Sequence, residues 1–261
     1  MTFEFLATLA VLGLTGAFVA GLLGVGGAIV MIPLLLYGPP LLGVGALDLR
    51  AVTGVTMAQV FAAAVSGVLA HRRARAVHAE LGLIGGVAMA AGSLVGAVAS
   101  RWTPEPVLLL AFALMATLAL ALMLVPTETV GQPIFAEHVT FNRPLAALVA
   151  LGVGLAAGLV GAGGAFLLVP MLLVVVGIPI RVTIGSSLAI TAVSALTGFA
   201  GKLATGQVPW LPAVMVVLGA VPGAQLGAWL SRRLSGRRLK QTLFVVVLLT
   251  SIRVWWDLLS R

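Results

Sequence analysis

The sequence predicts an all-α polytopic membrane protein of two inverted-topology repeats, each a glycine-broken helix hairpin plus three membrane helices, with about 8 to 10 transmembrane segments in total. Three observations predict it. Hydrophobic residues make up 61% of the chain and charged residues 8%, with a mean hydropathy of +1.20, which leaves too little polar surface for a water-soluble globule. The apolar runs continue for about twenty residues or more, as bilayer-crossing helices do, whereas barrel strands alternate over about ten. One unit also occurs twice: Ala20 to Pro33 reads AGLLGVGGAIVMIP and Ala157 to Pro170 reads AGLVGAGGAFLLVP, identical at eight of fourteen positions at an offset of 137.

Uncharged stretches place helical segments at 5–36, 50–70, 79–100, 105–125, 144–177, 183–202, 210–231 and 239–258. The first would make a helix of about 48 Å, well beyond the roughly 30 Å hydrocarbon core, and the turn Gly24-Val25-Gly26-Gly27-Ala28 lies inside it. It therefore reads as a helix, a sharp turn and a shorter arm. An arm from Ile29 to Leu36 is too short to span comfortably, which favours a re-entrant hairpin over two full crossings. The segment at 50–70 carries a polar stripe of Thr53, Thr56, Gln59 and Ser66. After 79–100 and 105–125 comes the longest polar interval, Thr127 to His138, which divides the chain into a first repeat (1–126), a connector (127–142) and a second repeat (143–261). The segment at 144–177 repeats the turn as Gly161-Ala162-Gly163-Gly164-Ala165, and 183–202 carries a second stripe of Ser186, Ser187, Thr191, Ser194 and Thr197. Past the turn the match resumes at an offset of 131, pairing Arg50 with Arg181, Gly92 with Gly223, Gly96 with Gly227 and Ser100 with Ser231. Trp102, Trp210, Trp255 and Trp256 fall near segment ends, as interfacial aromatics do. Glu4 stands where a cleavable signal would be basic, so the first segment is expected to stay in the mature protein.

Charge sets the expected orientation. The loop His71 to Arg75 holds three arginines, while its counterpart after Lys202 is neutral; Arg101 to Pro106 is nearly neutral, while its counterpart Arg232 to Lys240 is strongly basic. The bias swaps between equivalent loops, so the positive-inside rule puts the halves in opposite orientations. The net charge of +8 sits in such loops, which argues for a bilayer and against nucleic acid as the partner. With no cysteine, thiolate metal sites are excluded, and no metal or cofactor is expected. No HExxH, acidic pair, histidine triad or Walker loop occurs in a span, so no enzyme is expected.

The glycine turns are the candidate substrate site. Glycine tolerates positive φ, and Gly24, Gly26, Gly27 and Ala28, like Gly161, Gly163, Gly164 and Ala165, would aim amides at a helix start, where an anion is favoured. The competing reading is close helix packing by small residues. Hydroxyls of Thr53, Thr56, Ser186 and Ser187 would complete an oxyanion's shell, or bond back to their own helices. Gln59 joins them, because a buried amide needs a partner. Arg50 and Arg181 stand at the mouths, as anion attractors or helix-end anchors, and His71 and Lys202 occupy equivalent far ends, where a gating or proton-linked role is open.

A duplicated G-x-G-G-[AG] turn with a proline following, then Arg181-Val182-Thr183-Ile184-Gly185-Ser186-Ser187 as Arg-x-x-x-Gly-[ST], resembles the sulfite exporter TauE/SafE family of bacterial inner-membrane permeases. The first copy has Val55 where the second has Ser186. The resemblance implies a secondary transporter of small sulfur-containing anions such as sulfite or sulfonates, working by alternating access in the bacterial inner membrane. A passive anion channel, or a carrier of a non-sulfur carboxylate, stays open at this level. So do proton coupling, for which the acidic residues all lie at segment edges or in loops, and a homo-oligomer.

Overall fold

The computed structural model describes residues 2–23, 27–71, 78–125, 139–231, 233 and 236–260. Gly24, Gly26, most of the connector and the arginine loop after His71 lie outside the described residues, as do the side chains of His71 and Arg181. The first half forms α1 (Phe3–Leu23), α2 (Ala28–Leu41), α3 (Leu49–His71), α4 (Ala79–Ala99) and α5 (Glu105–Leu124). The second forms α6 (Arg143–Val160), α7 (Ala165–Val174), α8 (Ile180–Ala204), α9 (Trp210–Ser231) and α10 (Gly236–Ser260). Among the described residues, eight helices are long and apolar enough to cross a membrane, and α2 and α7 are shorter. The chain is a multi-pass membrane protein, with leucines and valines such as Leu83, Val87, Leu118 and Leu148 facing out and polar side chains such as Gln59, Ser93 and Lys202 fully buried.

Each long first segment breaks at its glycine turn. Gly27, Gly161, Gly163 and Gly164 all take positive φ, between 61° and 76°, which an L side chain adopts only at a cost. The arm after the first turn is longer than expected, because α2 runs on to Leu41 through Pro33, Pro39 and Pro40. Pro33 has no N–H for the carbonyl of Ile29, and the Thr250 hydroxyl from α10 donates to that carbonyl at 3.2 Å instead. Other helix starts are capped locally: Asp48 accepts from Ala51 N at 2.8 Å, His78 Nδ1 from Leu81 N at 3.2 Å, and Asn142 from Leu145 N at 3.1 Å.

Small residues set the packing. In α1 against α9, Gly219 abuts Ala10, Gly223 abuts Leu14 and Gly227 abuts Phe18, backbone on backbone, so numbers rise together and the helices run parallel. The equivalent pair repeats this: Gly92 abuts Leu151, Gly96 abuts Leu155 and Gly158 abuts Ser93, which makes α4 and α6 parallel. Thr197 donates to Ala90 O and Gly201 sits on Ala97, so α8 runs with α4 as well. Lys202 meets Thr53 and Gly198 meets Met57, so α3 and α8 are antiparallel. Since α9 reverses α8 through a short link, α1, α3 and α9 point one way and their counterparts α6, α8 and α4 the other. Both hairpins fold back on their first helix: Gly27 packs on Ala20 and Gly38 on Leu12, as Gly164 packs on Ala157.

Candidate functional site

The second turn is buried among other helices rather than in contact with lipid or water. Gly161 packs on Thr53, Gly163 on Val60, and Gly164 on Met89 and Ala157, so the break is wedged between α3, α4 and its own α6. Irregular backbone at membrane depth persists only where protein covers it or where it lines a cavity. The ladder of α7 starts with Leu167 N and Leu168 N on Gly164 O, at 3.1 and 2.8 Å, so the amides of Ala165 and Phe166 precede it and carry the positive end of the helix dipole. In the first turn, Gly27 and Ala28 occupy the matching place, with Ala28 fully buried.

Near the second turn, the facing sides of α3, α4 and α8 carry polar side chains that have no hydrogen-bond partner among the described residues. Thr56 and Gln59 of α3, Ser93 of α4, and Thr191 and Ser194 of α8 are all 0% exposed, and their hydroxyl and amide groups make no hydrogen bond. Gly198 touches both Ser93 and Met57, which shows that this face of α8 looks into the gap between α3 and α4; Ser194, one turn earlier, shares the face. Measured along the helices from the Lys202–Thr53 contact at 1.5 Å per residue, Gln59, Ser93 and Ser194 stand at roughly 9 to 12 Å. They form one mid-bundle level.

Lys202 closes the end below this layer. Its Nζ donates to Thr53 Oγ1 at 3.0 Å, Ser100 Oγ at 2.8 Å, and Leu159 O and Gln207 Oε1 at 3.4 Å each. Thr53 in turn donates to Arg50 O at 2.8 Å, and Ser100 also donates to Ala97 O at 2.7 Å. The α4, α6 and α8 helices all finish here, and the negative ends of their dipoles favour a cation. Outside the cluster lies a polar cavity of about 400 Å³, lined by Asp48, Arg50, Arg101, Thr205 and Gln207 among others. Arg50 bonds Thr103 O at 3.3 Å through Nη2, while its Nε is buried without a partner.

The expected site residues therefore separate. Thr53, Gly161, Gly163, Gly164, Thr56 and Gln59 gather between the Lys202 end and the mid-bundle layer. Ser186 and Ser187 lie about 22 Å or more along α8 from Lys202, toward the opposite end. There Ser186 accepts from His78 N at 3.0 Å, and Ser187 bonds back to Ile184 O at 3.0 Å. Lys202, in the last turn of α8 at the far end of its segment, is an interior group with no exposed surface. Sequence reasoning passed over Ser93, Ser100, Arg101 and Gln207. The pairing of Ser100 with Ser231 was a visible signal, but Gln207 sits in a short loop with nothing to mark it. Among the described residues, no three His, Cys, Asp or Glu side chains group as metal ligands.

Comparison with known proteins adds to this geometry. The family model for sulfite exporter TauE/SafE matches residues 9–254. The chain is similar to the probable membrane transporter protein YunE of Bacillus subtilis (strain 168), with 26% identity over 95% of this chain and 97% of the relative. It is also similar to a probable membrane transporter protein of Xylella fastidiosa (strain 9a5c), with 31% identity over 94% of this chain and 92% of the relative. No solved structure matches it.

Proposed function

The chain belongs to the sulfite exporter TauE/SafE family and is a membrane transporter of the bacterial plasma membrane, and we propose that it carries small sulfur-containing anions, sulfite or sulfonates, by alternating access. The observation that carries the site is the level of Gln59, Ser93 and Ser194, unpartnered among the described residues, with Thr56 and Thr191 unpartnered on either side of it along α3 and α8. A buried polar group with no partner costs about 1–3 kcal/mol, so five together are best understood as groups held ready for a ligand. Hydroxyl and amide donors suit an oxyanion, and the amides of Ala165 and Phe166 add the positive helix end. The sulfur chemistry rests on the family.

Because equivalent helices point in opposite directions, the halves are proposed to sit inverted in the bilayer and to rock about this layer. Export of an anion is then driven by the membrane potential, at about 2.3 kcal/mol per charge per 100 mV, with any proton travelling on the substrate itself. Purified protein in liposomes tests the proposal. Labelled sulfite, sulfoacetate, taurine and thiosulfate are offered under imposed voltage and pH gradients. Saturable uptake of a sulfur anion with counterflow is expected; ion conductance without counterflow would mean a channel, and no uptake of any of them would overturn the reading.

A further inference from the structure

The Lys202 amine is fully buried, and among the described residues none of its oxygen partners is a carboxylate. An ionisable side chain inside a membrane bundle is expensive to keep unless it serves a pathway or a ligand. Its three protons are unevenly satisfied. Two go to Ser100 Oγ at 2.8 Å and Thr53 Oγ1 at 3.0 Å, which are good bonds. The third is left between Leu159 O and Gln207 Oε1, each at 3.4 Å, beyond the usual bond length. Gln207 is held mainly through its Nε2, which donates to Thr205 Oγ1 at 2.7 Å and Ala97 O at 3.2 Å, while its Oε1 lies 3.0 Å from the Ser100 hydroxyl, whose single proton has the shorter contact to Ala97 O. So the third proton faces a place that an anionic oxygen could take without breaking a strong bond.

The approach to that place is charged to match. Gln207 lines the polar cavity on its outer side and touches Lys202 on its inner side, and Arg50 and Arg101 stand in the same cavity with Asp48 as the acid. Asp48 is engaged in capping α3. On the other side, Thr53 begins the face of α3 that continues to Thr56 and Gln59. Resting on the transport reading above, we propose that Lys202 binds the transported oxyanion, as the counter-charge it meets between the Arg50–Arg101 cavity and the mid-bundle layer. The anion oxygen takes the third ammonium proton in place of Leu159 O and Gln207 Oε1, while Thr53 and Ser100 keep the side chain aimed.

Uptake of labelled sulfoacetate and sulfite into liposomes, with KM and maximal rate resolved separately, tests this on Lys202→Met, Lys202→Gln and Lys202→Arg. A charge-assisted bond to the anion is lost in both neutral variants, so KM should rise by about tenfold or more, while elution and thermal unfolding in detergent stay close to wild type. The Arg variant should stay within a few-fold of the wild-type KM. A neutral variant that folds and keeps the wild-type KM overturns the assignment, even if its maximal rate falls. If neither neutral variant folds while Arg does, the cation is a structural pin on three helix ends and the assignment also fails. Absence of uptake by the wild type fails the transport reading and the inference with it, whereas wild-type uptake with an unmoved KM in the variants fails the inference alone.

Discussion

Gln59 is buried at 0% exposure with both amide atoms unpartnered, and in a membrane interior that is a standing cost. Gln59→Leu should therefore leave thermal stability unchanged or raise it, by about 1 kcal/mol, while transport falls; a fall in both together would mean that the amide is structural. Gly163 poses the opposite case, with φ at 61° and Val60 where a side chain would go. Gly163→Ala should cost about 1–2 kcal/mol from backbone strain alone, lower the unfolding temperature and abolish flux. Wild-type uptake in that variant would return the glycine to a packing role. Both residues stand out in the sequence, Gln59 as an amide in an apolar helix and Gly163 as part of a repeated run. Gln207 does not stand out, because its importance comes from Lys202, Ser100 and Ala97, groups brought to it by the ends of α4 and α8.

At the level of elements, the breaks between α1 and α2 and between α6 and α7 are legible, because a segment too long for the bilayer with a glycine run inside it has to turn. The end of α2 is not. The sequence ends that arm at Leu36, whereas the helix runs to Leu41, and the carbonyl of Ile29 that Pro33 leaves free is taken by a hydroxyl on α10, 221 residues from Ile29 along the chain. Thr250→Val should cost about 0.6–1.7 kcal/mol, the range of interhelical hydrogen bonds in membranes. In a Pro33→Ala background the new N–H at position 33 satisfies Ile29 O, so the same change should cost close to nothing. Thermal unfolding of the four proteins measures that difference, and equal costs in both backgrounds would remove the link between the proline and the threonine. The glycines paired across the repeats serve packing in both copies: Gly92 and Gly96 seat α6 on α4, as Gly223 and Gly227 seat α1 on α9.

For the whole molecule, the proposed inversion makes a direct prediction. Trp102 and Arg233 are equivalent at the offset of 131, both are exposed, and they stand at opposite ends of the bundle, after α4 and α9. The chain has no native cysteine, so Trp102→Cys and Arg233→Cys each present a single thiol. A membrane-impermeant maleimide should label Arg233→Cys from the cytoplasmic side and Trp102→Cys from the other; labelling of both from one side would end the inverted reading. The amino-acid sequence by itself determined the solvent, the helical class, the duplicated unit and the place of each break, because hydropathy, segment length and glycine runs act locally along the chain. Only the tertiary structure decided that Thr53 and Ser186 belong to opposite ends, that Ser93 and Ser194 share a level with Gln59, and that Lys202 turns inward. The reason is physical: an uncharged polar side chain on a membrane helix has the same composition whether it bonds its own backbone or waits for a ligand, and packing between helices distant in the chain settles which.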